Sequence, residues 1–381
     1  MRELFTIGVE EEYQVVQPGT GELRSRAGVV LQADRSGELE GEVQDTMLEI
    51  GTEVCVDAAE VADGLRKRRF QASAAAAAED LEILAAGMHP FSGWWGHELT
   101  DADRPRMLST IFRQLLRQQH VWGLHIHVAL PEKYDRVVVM NTVRAFGPHL
   151  LALSCSSPLH LGEDTGFASF RNVAWRGYPF TGAPPRFAST AEYNRFMDLL
   201  LRARAVPDER TVYWSSRPSA RYPTLELRIC DACPRLADAV AIAALARALV
   251  VAGAEDKLTP LASSLSASLQ DEVLTENEWI VARDGLDATL VAPERAEDSI
   301  PIREAIEALL EVVGPIAASF GDADAIRGVE AILRTGNGSD RIRARYRKTG
   351  SLSDVVEWLV GETRVGTGID RRTRGRHLPT R

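Results

Sequence analysis

The chain has 381 residues, with 44 Lys plus Arg against 54 Asp plus Glu, for a formal net charge of −10. Hydrophobic residues make up 45% and charged residues 26%, enough for a globular core and incompatible with a disordered or collagenous chain. The acidic balance argues against a nucleic-acid binder, whose footprint is basic.

In chain order, residues 4–16 are rich in β-branched and aromatic residues and predict a long strand. The N-terminal MRELFTIGVEEEY has no basic stretch followed by an apolar run, so no secretory leader is expected. Residues 42–54 predict one or two strands. A helix is expected from Ala58, capped by Asp57 with Glu60 completing a capping box, and continuing to about Leu81. A short strand is predicted from Ile83 to Met88, and a helix from Asp101 to Arg117 with Leu108, Ile111, Phe112 and Leu115 facing the core. Val121–Leu130 alternates as a strand, and Lys133–Leu153 is helical in pattern. Residues 154–188 are rich in Gly, Pro, Arg and aromatics and almost without periodicity; such a run inside a compact protein points to function. Further helices are expected at Ala191–Arg204, Pro234–Ala254, Pro301–Phe320, Asp322–Leu333 and Ser353–Leu359, with a strand at Thr224–Ile229. The last residues are basic and unpatterned, and a frayed tail is expected over 366–381.

The most apolar stretch, Ala239–Ala254, is interrupted by Arg247 and falls short of the roughly 20 residues that span a bilayer. A buried helix is the expectation, and no membrane partner. Four cysteines are too few for a disulfide framework, which points to a cytoplasmic setting. Cys230 and Cys233 form a CxxC with no second pair of zinc ligands, and are read as thiols packed at a strand end. Neither a GxGxxG nor a GxxxxGK[ST] loop occurs. The order of elements indicates an α+β fold with a largely antiparallel sheet covered by helices.

Alternation along the strands sorts the polar residues. On the first strand Glu10 and Glu12 share a face, opposite Ile7, Val9, Glu11 and Tyr13. On the HxH strand His125 and His127 share a face with Gly123, opposite Trp122, Leu124, Ile126 and Val128. Near residue 226, Glu226 and Arg228 share a face with Thr224. Seven residues separate Glu42 from Glu49, so they reach one site only if the chain breaks between them, and Asp45-Thr46 is a plausible place. Each pattern alone also fits a solvated face. Paired in one sheet, they would form a surface crowded with carboxylates, which suits Mg2+ or Mn2+ and phosphate oxygens. Arg171, Arg176, Arg217, Arg221 and Arg228 are candidate oxyanion clamps. A zinc hydrolase built on His125 and His127, with His89 or His97 as further ligands, is the competing reading, and a non-catalytic binding protein a third.

The motifs GVEEEYQVV, DTMLEIGTEVC, AGMHPF, GLHIHVAL, ALSCSSP, DTGFASFR, WSSRPS and TLELRICDACP occur in this order. Over residues 4–360 they resemble the bacterial carboxylate–amine ligases of the glutamate–cysteine ligase type 2 family. The resemblance implies one catalytic domain, residues 1–365, of the glutamine synthetase and guanido kinase kind, with an open antiparallel half-barrel backed by helices. It implies ATP-dependent amide formation through an acyl phosphate, in the type reaction from glutamate and cysteine, with ATP and Mg2+ or Mn2+ as cofactors. By matching position, Glu10, Glu12, Glu42, Glu49, His125 and Glu226 are the implied metal ligands, Glu49 and Arg228 the catalytic pair, and Arg171 and Arg217 substrate or phosphate contacts. His127 stands where distant relatives carry asparagine and is grouped with those contacts. Partners are small molecules, and a homo-oligomer remains open, with Trp94-Trp95 one candidate for an interface.

Overall fold

A computed structural model describes residues 5–258, 265–295 and 297–368; most of the expected basic tail, 369–381, lies outside them. Strand β1 (Ile7–Val16) is followed by α1 (Ala27–Ala33), β2 (Leu39–Gly41), β3 (Met47–Gly51), α2 (Ala58–Ala78) and β4 (Glu82–Leu84). Helices α3 (Asp103–Phe112) and α4 (Gln114–Gln118) lead to β5 (Gly123–Ala129). Then come α5 (Arg136–Val143), α6 (Gly147–Ser154), the hairpin β6–β7 (Leu159–His160, Glu163–Asp164), α7 (Phe170–Trp175) and α8 (Thr190–Arg202). Strands β8 (Ser216–Pro218) and β9 (Thr224–Asp231) complete the main sheet. The rest is α9 (Leu236–Ala254), α10 (Ala267–Asp284), the ribbon β10–β11 (Thr289–Val291, Ser299–Pro301), α11 (Ile302–Ser319), α12 (Ala323–Thr335), α13 (Gly338–Thr349) and α14 (Leu352–Arg364).

The main sheet has the order β2-β3-β1-β5-β9-β8, with β4 pairing the far end of β1, and every pair is antiparallel. It is open, as the half-barrel implied by the family resemblance requires. Its apolar face carries Val9 and Tyr13, Leu124 and Ile126, and Leu225 and Leu227, all buried. Helix α9 packs across β1 and β5, with α2 beside it. Its residues 239–252 are buried on every side, which explains an apolar run without helical periodicity. Arg247, which interrupts that run, pairs inside the core with Asp322 and lies over the ring of Phe320.

The glutamate on the core face of β1 has a dedicated partner. Glu11 and Arg69 of α2 are both fully buried. Arg69 Nε donates to Glu11 Oε2 at 2.9 Å and Nη2 to Oε1 at 2.6 Å, the two-pronged geometry that makes such pairs strong. Its remaining donors reach the carbonyls of Pro234 and Cys233, each at 2.8 Å, and the Tyr13 hydroxyl also donates to Glu11. One guanidinium thus joins β1, α2 and the turn after β9.

Several expectations need correction. The predicted helix 101–117 breaks at Arg113, whose φ is +51°, and Ile111 and Leu115 are each 42% exposed rather than in the core. The predicted helix 133–153 is interrupted by a 3-10 turn at Arg144–Phe146 before Gly147-Pro148. The strand predicted over 83–88 ends at Leu84. The Asp57 cap is present, but Glu60 reaches back to the Val56 amide, one residue before the expected position. Helix α10 was invisible because Asn277 and Glu278 occupy buried positions and break its apolar periodicity; α13 was invisible because Ile342 is its one buried large apolar residue.

Because breaking a buried ion pair strands a charge in the core, Arg69→Met is expected to lower unfolding free energy by about 3–5 kcal/mol. Denaturant titration of the variant against the parent protein measures it, and a change under about 1 kcal/mol would show the pair to be dispensable.

Candidate active site

The register of the sheet assembles the polar residues. Glu12 lies directly across from Glu49, Glu10 from His125, His127 from Glu226, and Glu226 from Arg217. Glu42 arrives differently. The chain leaves β2 at Gly41 and re-enters the sheet at Met47, turning at Asp45-Thr46 as the odd spacing requires. Neighbouring backbone pins that loop: Thr100 N donates to Val43 O, Asp45 N to Glu98 O, and Gly28 N to Asp45 Oδ1.

The result is a chain of three linked triplets. Glu226, His127 and Glu10 form one; Glu10, His125 and Glu49 the next; Glu49, Glu12 and Glu42 the third. Within each, one potential ligand atom per residue lies within 4.8 Å of the others. All six implied metal ligands are here, and His127 joins them. Glu10 bridges two triplets, with Oε1 3.3 Å from His127 Nε2 and Oε2 3.5 Å from His125 Nδ1. Both contacts are long, and the two ring nitrogens are buried with no partner besides the shared Glu10. The other side of His127 is held by Thr224, whose Oγ1 is 2.9 Å from Nδ1. That orients Nε2 toward Glu10, as outer hydroxyls do for metal-bound imidazoles.

Electrostatics make the same point. Burial and the neighbouring Glu42, Glu10 and Glu12 push the Glu49 carboxyl well above the usual carboxylate range. Burial and Glu42 raise Glu12 to about 7, against the pull of Arg171. Burial and Arg228 lower His125 to about 4, leaving it as the neutral imidazole that ligates metals. Imidazole nitrogens that meet only a shared carboxylate, among crowded carboxylates, fit divalent cations such as Mg2+ or Mn2+.

The arginines divide by what already occupies them. Arg217 grips Glu226 from Nε at 2.8 Å and Nη2 at 3.2 Å, and donates from Nη1 to the carbonyls of Arg210 and Val212. Arg228 also pairs with Glu226, and together the two hold that carboxylate low in spite of its burial. A bulge sets Arg228 and Ile229 opposite the single residue His125, since Leu124 faces Cys230 and Ile126 faces Leu227. Arg171 is buried, with Nε unpartnered. Arg176 is committed to Glu278 at 2.7 Å, and Arg221 lies exposed against Tyr222.

The zinc reading finds no support in the geometry. His89 accepts two backbone amides at Nδ1 and meets Gly21 O at Nε2, while His97 faces Ser25. Neither belongs to a ligand triplet among the described residues. Cys230 and Cys233 are buried free thiols, and burial pushes Cys230 up to about 12, so neither is a ready nucleophile. Thr224, which orients His127, is not among the residues expected from sequence; its signal is its place on the polar face beside Glu226.

The fold is that of glutamate–cysteine ligase structures. The ligase from Francisella tularensis in complex with AMP superposes with a TM-score of 0.70 at 13% identity, covering 95% of this chain and 89% of that one. A bifunctional glutathione synthetase from Pasteurella multocida gives 0.66 at 15% identity, covering 95% of this chain and 52% of that one. Residues 6–358 match glutamate–cysteine ligase family 2, and the chain belongs to that family. A protein named "Putative glutamate–cysteine ligase 2" from Solibacter usitatus is 34% identical over 376 residues, covering 96% of this chain and 95% of its own length. A relative of the same name from Roseiflexus sp. is 35% identical over 368 residues, with 95% of each covered. Family, relatives and fold together support a carboxylate–amine ligase of the glutamate–cysteine ligase type.

A cation entering this cluster must displace protons from Glu12 and Glu49. Mn2+ affinity is therefore expected to rise as pH climbs through about 7, by up to about tenfold per unit for each proton released. Calorimetric titration at pH 6 and pH 8 tests this; equal affinity at both would show that those carboxyls are not protonated before the metal arrives.

Proposed function

We propose that the protein joins L-glutamate and L-cysteine at the expense of ATP, giving γ-glutamylcysteine, ADP and phosphate. The γ-carboxylate attacks the terminal phosphorus, the acyl phosphate forms with ADP as leaving group, and the amine displaces phosphate. The observation that carries this reading is the chain of three ligand triplets along one sheet face, in a chain whose family is that of glutamate–cysteine ligases. The AMP complex of the Francisella tularensis enzyme supports a nucleotide site. One catalytic unit, residues 1–365, would contain the whole reaction.

Glu10, Glu12, Glu42, Glu49, His125 and Glu226 would hold Mg2+ or Mn2+, with His127 completing the first triplet. Those ions supply charge neutralisation for the phosphate oxygens. Glu49, shared by two triplets, is the residue on which both depend. Arg228 is placed to meet charge on the transferring phosphoryl group or the acyl phosphate, because Nε has no partner and its other end is anchored on Glu226. Arg217, with its donors already engaged, positions Glu226 rather than substrate. Arg171 retains a free donor for an oxyanion.

The test is ADP release with Mg2+ and ATP across amino acids supplied singly and in pairs. Release is expected to require glutamate and cysteine together and to fall by about 100-fold or more in Glu49→Gln, the scale of losing one key electrostatic group. Release without an amine, or full turnover in Glu49→Gln, would overturn the proposal.

A further inference from the structure

Two of the motifs, ALSCSSP and DTGFASFR, contribute no residue to the ligand triplets, and they meet the end of a third, TLELRICDACP, beyond its Glu226. In the fold they converge on one carboxylate. Asp231, the last residue of β9, is fully buried. Its Oδ2 accepts the Ser156 amide at 2.9 Å and the Ser157 hydroxyl at 2.7 Å, and Oδ1 accepts the Ser169 hydroxyl at 2.8 Å. A side chain on Gly87 would meet Asp231 Cγ at 2.6 Å, so that glycine leaves the room the carboxylate occupies. The Gly87 amide donates to Ser156 Oγ, which in turn donates to Ala232 O.

The arrangement ends at Arg171. Ser157 Oγ accepts the Arg171 amide at 3.1 Å, and Ser169 caps α7, in whose first turn Arg171 lies. Arg171 Nη1 stands 3.8 Å from Asp231 Oδ1, a charge contact rather than a hydrogen bond. The guanidinium touches the carbonyls of Ile229 and Arg228 at 3.3 and 3.5 Å, and its Nε is unpartnered. At its far end, a Cβ on Gly123 would meet Arg171 Nη2 at 2.5 Å and His125 Nε2 at 2.9 Å, while the Gly123 amide donates to Glu12. Arg171 therefore lies along the wall formed by Glu12, Gly123 and His125, with donor capacity in reserve. A buried, fully bonded carboxylate behind such a cation fixes its direction and compensates its charge without consuming its donors.

We propose that Asp231 is a positioning residue that aims the Arg171 guanidinium at an oxyanion, a nucleotide phosphate or an amino-acid carboxylate, at the Glu12–His125 end of the site. The inference rests on the ligase reading above. A residue that merely stabilised the fold would loosen every ligand together; one acting through Arg171 loosens the oxyanion alone.

The experiment compares wild type, Asp231→Asn, Arg171→Ala and the double variant of the full chain. Three affinities are measured: Mn2+ alone, a non-hydrolysable ATP analogue with Mn2+, and L-glutamate with Mn2+. At pH 8, where the pull of Arg171 on Glu12 matters least, each single variant is expected to lose no more than about twofold in Mn2+ affinity and about tenfold or more for one oxyanion probe. The double variant is expected to bind no more weakly than Arg171→Ala, since the two residues act as one unit. Loss for the analogue identifies a phosphate and loss for glutamate a carboxylate. Wild-type affinity of Asp231→Asn for both probes, additive losses in the double variant, or a parallel loss of Mn2+ would overturn the inference. If Asp231→Asn fails to fold, Ser157→Ala replaces it, with a several-fold loss for the same probe expected and none in the Arg171→Ala background. Wild type that binds Mn2+ but neither probe refutes the ligase reading and this inference with it. Wild type that binds a probe, with variants unchanged, refutes this inference alone.

Discussion

Three consecutive glutamates on one central strand pose the problem around which this fold is arranged. Alternation sends Glu10 and Glu12 to one face and must send Glu11 to the other, into the core. An unpaired carboxylate there would cost several kcal/mol or force protonation. Arg69 resolves this with a two-pronged ion pair, and its remaining donors reach the chain just after β9. The interaction that lets Glu11 be buried thereby also ties the first strand of the site to the strand that carries Glu226 and Arg228.

On the opposite face the same strand creates a different imbalance. Glu10, Glu12, Glu42, Glu49 and Glu226 lie in one connected group with two histidines. The arginines do not neutralise it evenly. Arg217 and Arg228 concentrate on Glu226, so burial and Glu42 raise the proton affinity of both Glu12 and Glu49, with Glu10 and Glu12 adding to the rise at Glu49. The negative charge is thus unbalanced at the Glu12–Glu42–Glu49 end and largely balanced at the Glu226 end. Unbalanced negative charge of this kind favours either protons or cations at the Glu12–Glu42–Glu49 end.

Support around the site is as specific as the face itself. The loop bearing Glu42 is fastened by the segment around Glu98–Thr100, Thr224 turns His127, and Asp231 gathers Ser156, Ser157 and Ser169 beneath Arg171. These contacts are made by residues that belong to no ligand triplet. They show how a site built on short strands acquires rigid side-chain directions.

Much of this was legible along the chain. Period-two alternation placed Glu10 with Glu12 and His125 with His127, and the odd spacing made a break, with Asp45-Thr46 a plausible place, the condition for Glu42 and Glu49 to share a site. The absence of a phosphate loop and the run of motifs indicated the α+β class and the family. These features are local: they depend on backbone geometry that repeats every two residues. What the sequence could not disclose is everything set by pairing between distant segments. That Glu11 would meet Arg69, that Arg217 would be spent on Glu226, and that parts of three motifs would close on Asp231 follow from strand register and helix packing. So does the true character of α10, whose buried Asn277 and Glu278 mask its helical period. Local propensity determined which face each side chain would take; only the tertiary structure decided which partner it would find there, because burial leaves a polar group no water to bond and makes its nearest neighbour decisive.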